Sequence, residues 1–351
     1  MLPLLDPPHE PLAQWLMEQG LPAYRLRQVL RWVFRQRAGS FEAMTDLPAG
    51  LRQKMAEAFH VFTSRVAQHQ KSPDGTEKLL LALADGQQVE CVLLRNDRGH
   101  QTACISTQVG CGMGCAFCAS GLSGLVRNLT SGEILEQLLH LGQRLPAEER
   151  LTHVVVMGMG EPLANLDSLL PSLAVATSPD GLGISVRRIT ISTVGLPGGI
   201  RRLAQLEPPY HLAISLHAPD DPLRNRLVPA NRAVGVQAVV EAADEYFAQT
   251  GRRVTYEYVL LAGENDQPSQ ASQLAHLLQG CPVLVNLIAL NPVADLPFRG
   301  SDTRAVGQFK AILERAGVQV QVRLRKGECI DAACGQLRRR AGAGNATAEG
   351  V

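Results

Sequence analysis

The sequence predicts an α/β fold in which parallel strands form an open or closed barrel behind a small N-terminal helical domain. Three observations carry that prediction. From residue 101 onward, short apolar runs rich in β-branched residues alternate with amphipathic stretches, the pattern of repeated βα units. Residues 11 to about 60 show only helical periodicity. The polar residues that interrupt the later pattern fall just after strand candidates, where barrels of this kind collect their chemistry.

The 351 residues suffice for a barrel-sized core plus an appendage. A net charge of +1 neither announces nor excludes a nucleic-acid partner. Eight cysteines without a secretory leader do not read as a disulfide framework. Met1 to Leu12 carries prolines and acids where a signal peptide needs a basic start and an apolar run. No stretch approaches the roughly 18 apolar residues of a membrane span. The expected setting is a reducing cytoplasm with no membrane attachment, where thiols stay available.

Four regions follow in order. Residues 1–60 form the helical domain. In Tyr24–Arg37, the apolar Leu26, Val29, Leu30, Val33 and Phe34 recur at helical spacing, while Arg27, Arg31 and Arg35 share another face. That face is either a solvated surface or a basic ridge that meets phosphate. Met44–Pro48 turns the chain into another short helix. Residues 61–100 are a β-rich extension or linker, with a turn at Ser72–Gly75 and a hairpin, Lys78–Leu83 with Gln88–Leu94, around Asp85-Gly86. Glu90 falls within its second run, where an acid is ordinarily outward and solvated.

Residues 101–337 carry the barrel. Strands are expected over Thr102–Thr107, Thr152–Met157, Arg188–Ser192, Leu212–Leu216, Val254–Leu261, Val283–Leu290 and Val318–Leu324. Their nearly continuous apolar character suggests cover on both faces. Helices are expected over Ser131–Leu141, Val236–Gln249, Gln270–Leu278 and Thr303–Ala316, the first opened by a capping box, Thr130-x-x-Glu133. Residues 338–351 are expected to be a disordered tail.

The chemistry centres on Cys111-Gly112-Met113-Gly114-Cys115-Ala116-Phe117-Cys118, in the loop after the first barrel strand. Three thiols at this spacing suit three corners of a [4Fe–4S] cube and leave one iron open, as a catalytic centre requires. The intervening glycines let the chain wrap a cluster. A partial zinc site or three core thiols remain the bland alternatives. Gly158-Met159-Gly160-Glu161-Pro162 follows the second strand, Ser192 ends the third, Ser215-Leu216-His217 ends the fourth and Asn291-Pro292 closes the sixth. All are expected on one rim.

Taken with Cys104–Cys111, Arg127-Asn128-Leu129, Ala213–Ala218 and Ile330–Leu337, these motifs resemble the RlmN/Cfr family of radical S-adenosylmethionine RNA methyltransferases from about residue 20 to 337. Arg31-Trp32 and Met44-Thr45 extend the likeness into the helical region. The resemblance implies a partial (β/α)6-type radical SAM barrel, with the N-terminal helices as an RNA-binding accessory. It implies that Cys111, Cys115 and Cys118 hold one [4Fe–4S] cluster, whose open iron binds S-adenosylmethionine. Gly160 and Glu161 would hold the cofactor's amino end, with Ser192, Ser215, Leu216, His217 and Asn291 around the rest.

Carbon 2 of adenine is electron-poor and offers no nucleophile to a polar methyl transfer, which radical chemistry circumvents. In the family, one S-adenosylmethionine methylates a cysteine thiolate, which matches Cys334. A second is cleaved reductively to a radical that takes a hydrogen from the S-methyl group, and the resulting methylene adds to the base. Cys104 matches the cysteine that resolves the adduct through a transient disulfide with Cys334. Glu90 matches the acid that removes the C2 proton. Cys329 has no role in this scheme, and Cys91 and Cys281 read as core or incidental thiols.

The implied substrates are adenosine 2503 of 23S rRNA and adenosine 37 of tRNA, with flavodoxin or ferredoxin as electron donor and a monomeric enzyme. Arg127, Arg323 and Arg325 are candidates for phosphate contact. The enzymatic rival is Cfr-type methylation at C8 of the same rRNA adenosine; the Met44–Leu47 and Ile330–Cys334 wording resembles RlmN more. A non-catalytic Fe–S or zinc RNA-binding protein is the rival from another class. It leaves Cys104, Cys334 and the Gly-Met-Gly-Glu-Pro turn without a purpose.

Overall fold

The structure of the chain, a computed structural model, describes all residues except 123, 208, 281, 291–295, 324–335 and 339–351. The expectations for Cys281, Asn291, Arg325, Cys329, Cys334 and the tail from residue 339 lie outside the described residues.

At the N-terminus, β1 (Leu2–Pro3) precedes three helices, α1 (Glu10–Glu18), α2 (Tyr24–Phe34) and α3 (Ala49–Ala58). The chain then returns as β2 (Phe59–His60), which pairs in parallel with β1. Helix α2 buries Val29, Val33 and Phe34, the stripe that its periodicity required. These residues, with Leu12, Met44 and Phe59, belong to the same apolar core as the barrel strands. The helical region is therefore not separate; it packs as part of one body. Arg27, Arg31 and Arg35 are all exposed, and Arg35 donates to the carbonyls of Pro179 and Leu182. The arginine ridge thus uses its third member to hold the barrel, and Arg31 lies within electrostatic reach of Asp46.

The extension forms β3 (Arg65–Lys71), β4 (Glu77–Ala82) and β5 (Gln88–Arg95), joined antiparallel. Its two turns close on Gly75 and Gly86, both at positive φ (79° and 81°), where only glycine is at ease. This region is no linker, because β5 pairs antiparallel with β6 (Gln101–Cys104) and so continues the barrel sheet.

After β6 a two-stranded ribbon, β7 (Gln108–Gly110) and β8 (Leu125–Asn128), brackets the cysteine loop. The chain then alternates: α4 (Ser131–Gly142), β9 (His153–Val156), α5 (Leu166–Thr177), β10 (Ile189–Thr193), α6 (Pro197–Ala204), β11 (His211–Ser215), α7 (Asp221–Leu227), α8 (Val236–Thr250), β12 (Thr255–Leu260), α9 (Pro268–Leu277), β13 (Leu284–Ala289), α10 (Thr303–Arg315) and β14 (Gln319–Arg323). The capping box of α4 is made, Thr130 Oγ1 accepting from Glu133 N and Thr130 N donating to Glu133. Among the described residues the sheet is ten-stranded, in the order β14-β13-β12-β11-β10-β9-β6-β5-β4-β3. From β6 to β14 each neighbour is parallel, so six βα units end on a further parallel strand, and β3 and β14 are left as edges. This is a partial barrel.

The registers separate the two faces of the sheet. One face carries Leu79, Leu81, Ala103, Val154, Ile191, Ile214, Tyr256 and Val285, all buried in the core beneath the helices. On the other, Lys78 and Cys104 both oppose Val92, Cys104 opposes Val155, Ser192 opposes Ala213, and Ser215 opposes Glu257, which opposes Asn286. Opposed residues point to the same side. The second face is therefore largely polar, and the strands are not apolar throughout as their composition suggested.

Candidate active site

The cysteine loop is set by its ribbon. Gly110, at φ 79°, leaves no room for a side chain, since a Cβ there would fall 2.0 Å from the carbonyl oxygen of Gly124. Cys111 N donates to that same oxygen at 2.9 Å, and Ala116 N reaches Leu227 O at 2.9 Å, tying the loop to α7. Phe117 and the half-buried Cys115 pack onto a small apolar cluster of Ala218, Leu223, Leu227, Val228, Leu261 and Leu290, distinct from the main core. Cys111, Cys115 and Cys118 form no disulfide among the described residues and lie within electrostatic reach of one another. Burial, then the neighbouring Cys118 and Glu161, push the Cys111 thiol up to about 11; burial pushes Cys115 higher still.

Such thiols are ordinarily protonated, and binding to iron removes the proton. The donor set fits a [4Fe–4S] cluster. Ser120 Oγ and Thr107 Oγ1, flanking the loop, are buried without a protein partner among the described residues. Among those residues, no three His, Cys, Asp or Glu side chains converge as the ligands of a single ion would.

The Gly158–Pro162 turn is laced to the same loop. Thr107 N donates to Met159 O at 2.8 Å, Met159 N to Ser106 Oγ at 2.8 Å, and Glu161 N to Gln108 Oε1 at 2.9 Å. Gly160, at φ 102°, abuts Gln108, whose Cβ would stand 2.6 Å from any Cβ there. The Glu161 carboxylate is buried and accepts from Leu163 N at 3.0 Å and Val194 N at 2.9 Å. Burial raises its pKa despite these donors. Its carboxyl group is thus engaged in holding the chain, and the Gly160 backbone hydrogen-bonds the Cys111 sulfur.

At the next two strand ends, Ser192 Oγ and Ser215 Oγ stand 3.4 Å apart. His217 adopts φ 61°, a left-handed conformation unusual outside glycine and asparagine. Its Nδ1 accepts from Val259 N at 3.1 Å, and its ring meets Phe117 edge-on, centroids 4.9 Å apart. Burial, and secondarily Arg224, push its pKa down to about 3, so the ring is neutral and presents Nε2–H.

Arg224 is a residue that sequence reasoning missed. It is almost wholly buried, donating to Leu216 O at 2.9 Å, Ser215 O at 3.2 Å, Asn231 Oδ1 at 2.6 Å and Val194 O. It binds the Ser215–Leu216 strand end to the loop after β10, close enough to Cys115 for their charges to interact. Nothing local signals it, since an arginine in a short polar helix that also carries Arg226 reads as surface. Glu257, also missed, is buried on the polar face beside Ser215, and Asn286 Nδ2 donates to it at 2.8 Å.

Cys104 ends β6 and is buried. Glu90 is buried too, against the expectation of a solvated strand acid, because Lys78 Nζ stands 2.8 Å from its Oε2. Its Oε1 accepts from the backbone N–H of Arg338, just beyond Cys334, at 2.8 Å. Arg127 is not available for phosphate; it is paired with Asp85 at 2.7 Å and Glu133 at 2.8 Å. Arg323 sits near Glu257 and Met157 on the polar face. Cys91 is a core thiol, its pKa raised by burial.

The profile of the Radical SAM superfamily matches residues 105–274, and that of the ribosomal RNA large subunit methyltransferase N-terminal domain matches residues 2–61. The chain is 59% identical over 336 residues to a probable dual-specificity RNA methyltransferase RlmN from Rhodopirellula baltica, covering 96% of this chain and 90% of that one. It belongs to the RlmN family of radical SAM methyltransferases. A relative of the same description from Symbiobacterium thermophilum is 48% identical, covering 95% of this chain and 90% of its own. The crystal structure of a radical SAM methyltransferase from Sphaerobacter thermophilus superposes with a TM-score of 0.92 at 41% identity, covering 96% of this chain and 99% of that one. Membership of the RlmN family brings a [4Fe–4S] cluster and S-adenosylmethionine to this chain.

Proposed function

We propose that this chain methylates C2 of adenosine 2503 in 23S rRNA and C2 of adenosine 37 in tRNA, through a methylcysteine at Cys334. In this reading Cys111, Cys115 and Cys118 hold the cluster. Gly160, Ser192, Ser215, Leu216, His217 and Asn291 surround S-adenosylmethionine, and Glu161 acts through the turn that it fixes. The bound cluster and cofactor supply methyl groups and one-electron reductive cleavage.

The protein's own part is three groups. The Cys334 thiolate takes a methyl group, its sulfur lone pair forming the new S–C bond as the sulfonium S–CH3 bond of S-adenosylmethionine breaks and its pair leaves with S-adenosylhomocysteine. Once the S-methyl carbon, short of one hydrogen atom, has bonded to C2, Glu90 accepts the C2 proton, and the one electron left over would return to the cluster. The Cys104 thiolate then forms a disulfide with Cys334, and the released C–S bond pair passes to the methylene carbon, which is protonated to methyl. Flavodoxin or ferredoxin serves as electron donor to a monomeric, cytoplasmic enzyme. Among the described residues no helix is long and apolar enough to cross a membrane.

The observation that most supports this reading is the placement of Glu90. It lies on the strand next to Cys104, on the same face, and bonds the chain just beyond Cys334. A solvated strand acid would do neither.

The test uses anaerobically purified, cluster-reconstituted protein incubated with S-adenosylmethionine bearing a deuterated methyl group. Peptide mass spectrometry should find the label on Cys334 and lose it in Cys334→Ala. NMR of the product base should place the methyl group at C2. An unlabelled Cys334 in cluster-replete protein would sink the methylcysteine route, and a C8 product would reassign the chain to Cfr-type chemistry.

A further inference from the structure

Away from the cluster cysteines, the polar face of the sheet buries an ion pair. Lys78 Nζ and Glu90 Oε2 stand 2.8 Å apart, with side chains 0% and 2% exposed. Both belong to the hairpin β4–β5, where Leu80 opposes Glu90 and Lys78 opposes Val92. The charges are therefore diagonal neighbours on one face. The β5–β6 register sets Cys104 opposite Val92 on that same face. The reverse face of these strands is Leu79, Leu81, Cys91 and Leu93, all core.

A buried Lys–Glu pair seldom stabilises a fold more than apolar side chains of equal size, because desolvating both charges cancels their attraction. Breaking it, by contrast, strands a charge. A hairpin already held by an apolar reverse face does not need the pair for stability. The two Glu90 oxygens are also unequal: Oε2 faces the Lys78 ammonium, and Oε1 faces the chain just beyond Cys334 through Arg338 N at 2.8 Å.

We propose that Lys78 is a positioning residue for proton removal, fixing Glu90 so that Oε1 receives the proton from the adenine ring carbon. The electron pair of the C–H bond stays in the ring. Lys78 touches neither the base nor the cofactor; it acts through Glu90. This rests on the reading of Glu90 as proton acceptor.

The test compares wild-type holoenzyme with Lys78→Met and Lys78→Gln on RNA carrying either hydrogen or deuterium at the target C2. Cys334 methylation and cluster absorbance are recorded alongside. Both variants should keep Cys334 methylation, while RNA turnover falls by about 10²-fold in Lys78→Met, the scale of a lost acid–base contribution. The deuterium isotope effect on turnover should exceed that of wild type, more in Lys78→Met than in Lys78→Gln, because proton removal becomes limiting. Lost turnover with an unchanged isotope effect, in whichever variant folds with its cluster, would overturn the proposal and leave Lys78 structural. Absence of Cys334 methylation in the wild type would instead strike the methylcysteine reading beneath it.

Discussion

The two faces of the barrel sheet are made by the same strands and do opposite work. In β11, Leu212 and Ile214 enter the core, while Ala213 and Ser215 face Glu257 and Ser192. In β4 and β5, Leu79, Leu81, Cys91 and Leu93 pack under helices, while Lys78 and Glu90 pair on the other side. Alternation along a strand costs the chain nothing, since successive side chains point to opposite faces. One face can thus carry stability and the other chemistry, and each can be altered separately.

The largest effect should come from the apolar face. Ile214→Ala removes a wholly buried side chain and should cost about 2–5 kcal/mol of stability. Denaturant unfolding would measure it, and S-adenosylmethionine affinity of the folded fraction should be unchanged. A loss below that range would mean that the sheet does not lean on this face as described.

The next effect is the response to acid. His217, at the rim, and His140, stacked on Phe62 beneath the sheet's extension, have folded pKa values pushed down to about 3 and about 4, burial being the first cause of each. The sign follows from proton uptake: below the ordinary value of 6.5 the unfolded chain binds protons that the folded rings refuse. Stability conferred by the neutral rings is therefore complete above about 6.5 and is lost as pH falls toward the folded values. Each ring should contribute a slope of about 1.4 kcal/mol per pH unit in that window. His217→Asn should remove one ring's share; an unaltered slope would show that His217 is not held neutral.

The smallest effect on stability should come from the polar face. Ser215→Ala leaves the core intact and should shift unfolding by under about 0.5 kcal/mol. It should weaken S-adenosylmethionine binding by the worth of a hydrogen bond, about 0.5–1.5 kcal/mol. Equilibrium binding to cluster-loaded protein measures this. Unchanged affinity would remove Ser215 from the cofactor's surroundings.

Much of the molecule was legible in one dimension. All seven parallel strands appear where β-branched runs placed them, and α4, α8, α9 and α10 lie where periodicity and the Thr130 cap required. The cysteine loop and the Gly158–Pro162 turn were likewise visible, because spacing and glycine content are local properties. The gathering of these motifs at one rim followed from the βα order alone.

Tertiary structure decided the rest. Whether Glu90 is solvated or buried depends on a lysine across a hairpin and on a chain segment 248 residues away. Which strand residues face the polar side depends on register, set by hydrogen bonds between strands distant in sequence. Arg224 became part of the site only when folding brought the carbonyls of Val194, Ser215 and Leu216 around its guanidinium. Arg127 dropped out of the phosphate-binding set when Asp85 and Glu133 claimed it. Composition and period fix what a side chain is and which way its neighbours alternate. The partner that settles its charge, its burial and its task comes from elsewhere in the chain, and only the packed fold supplies it.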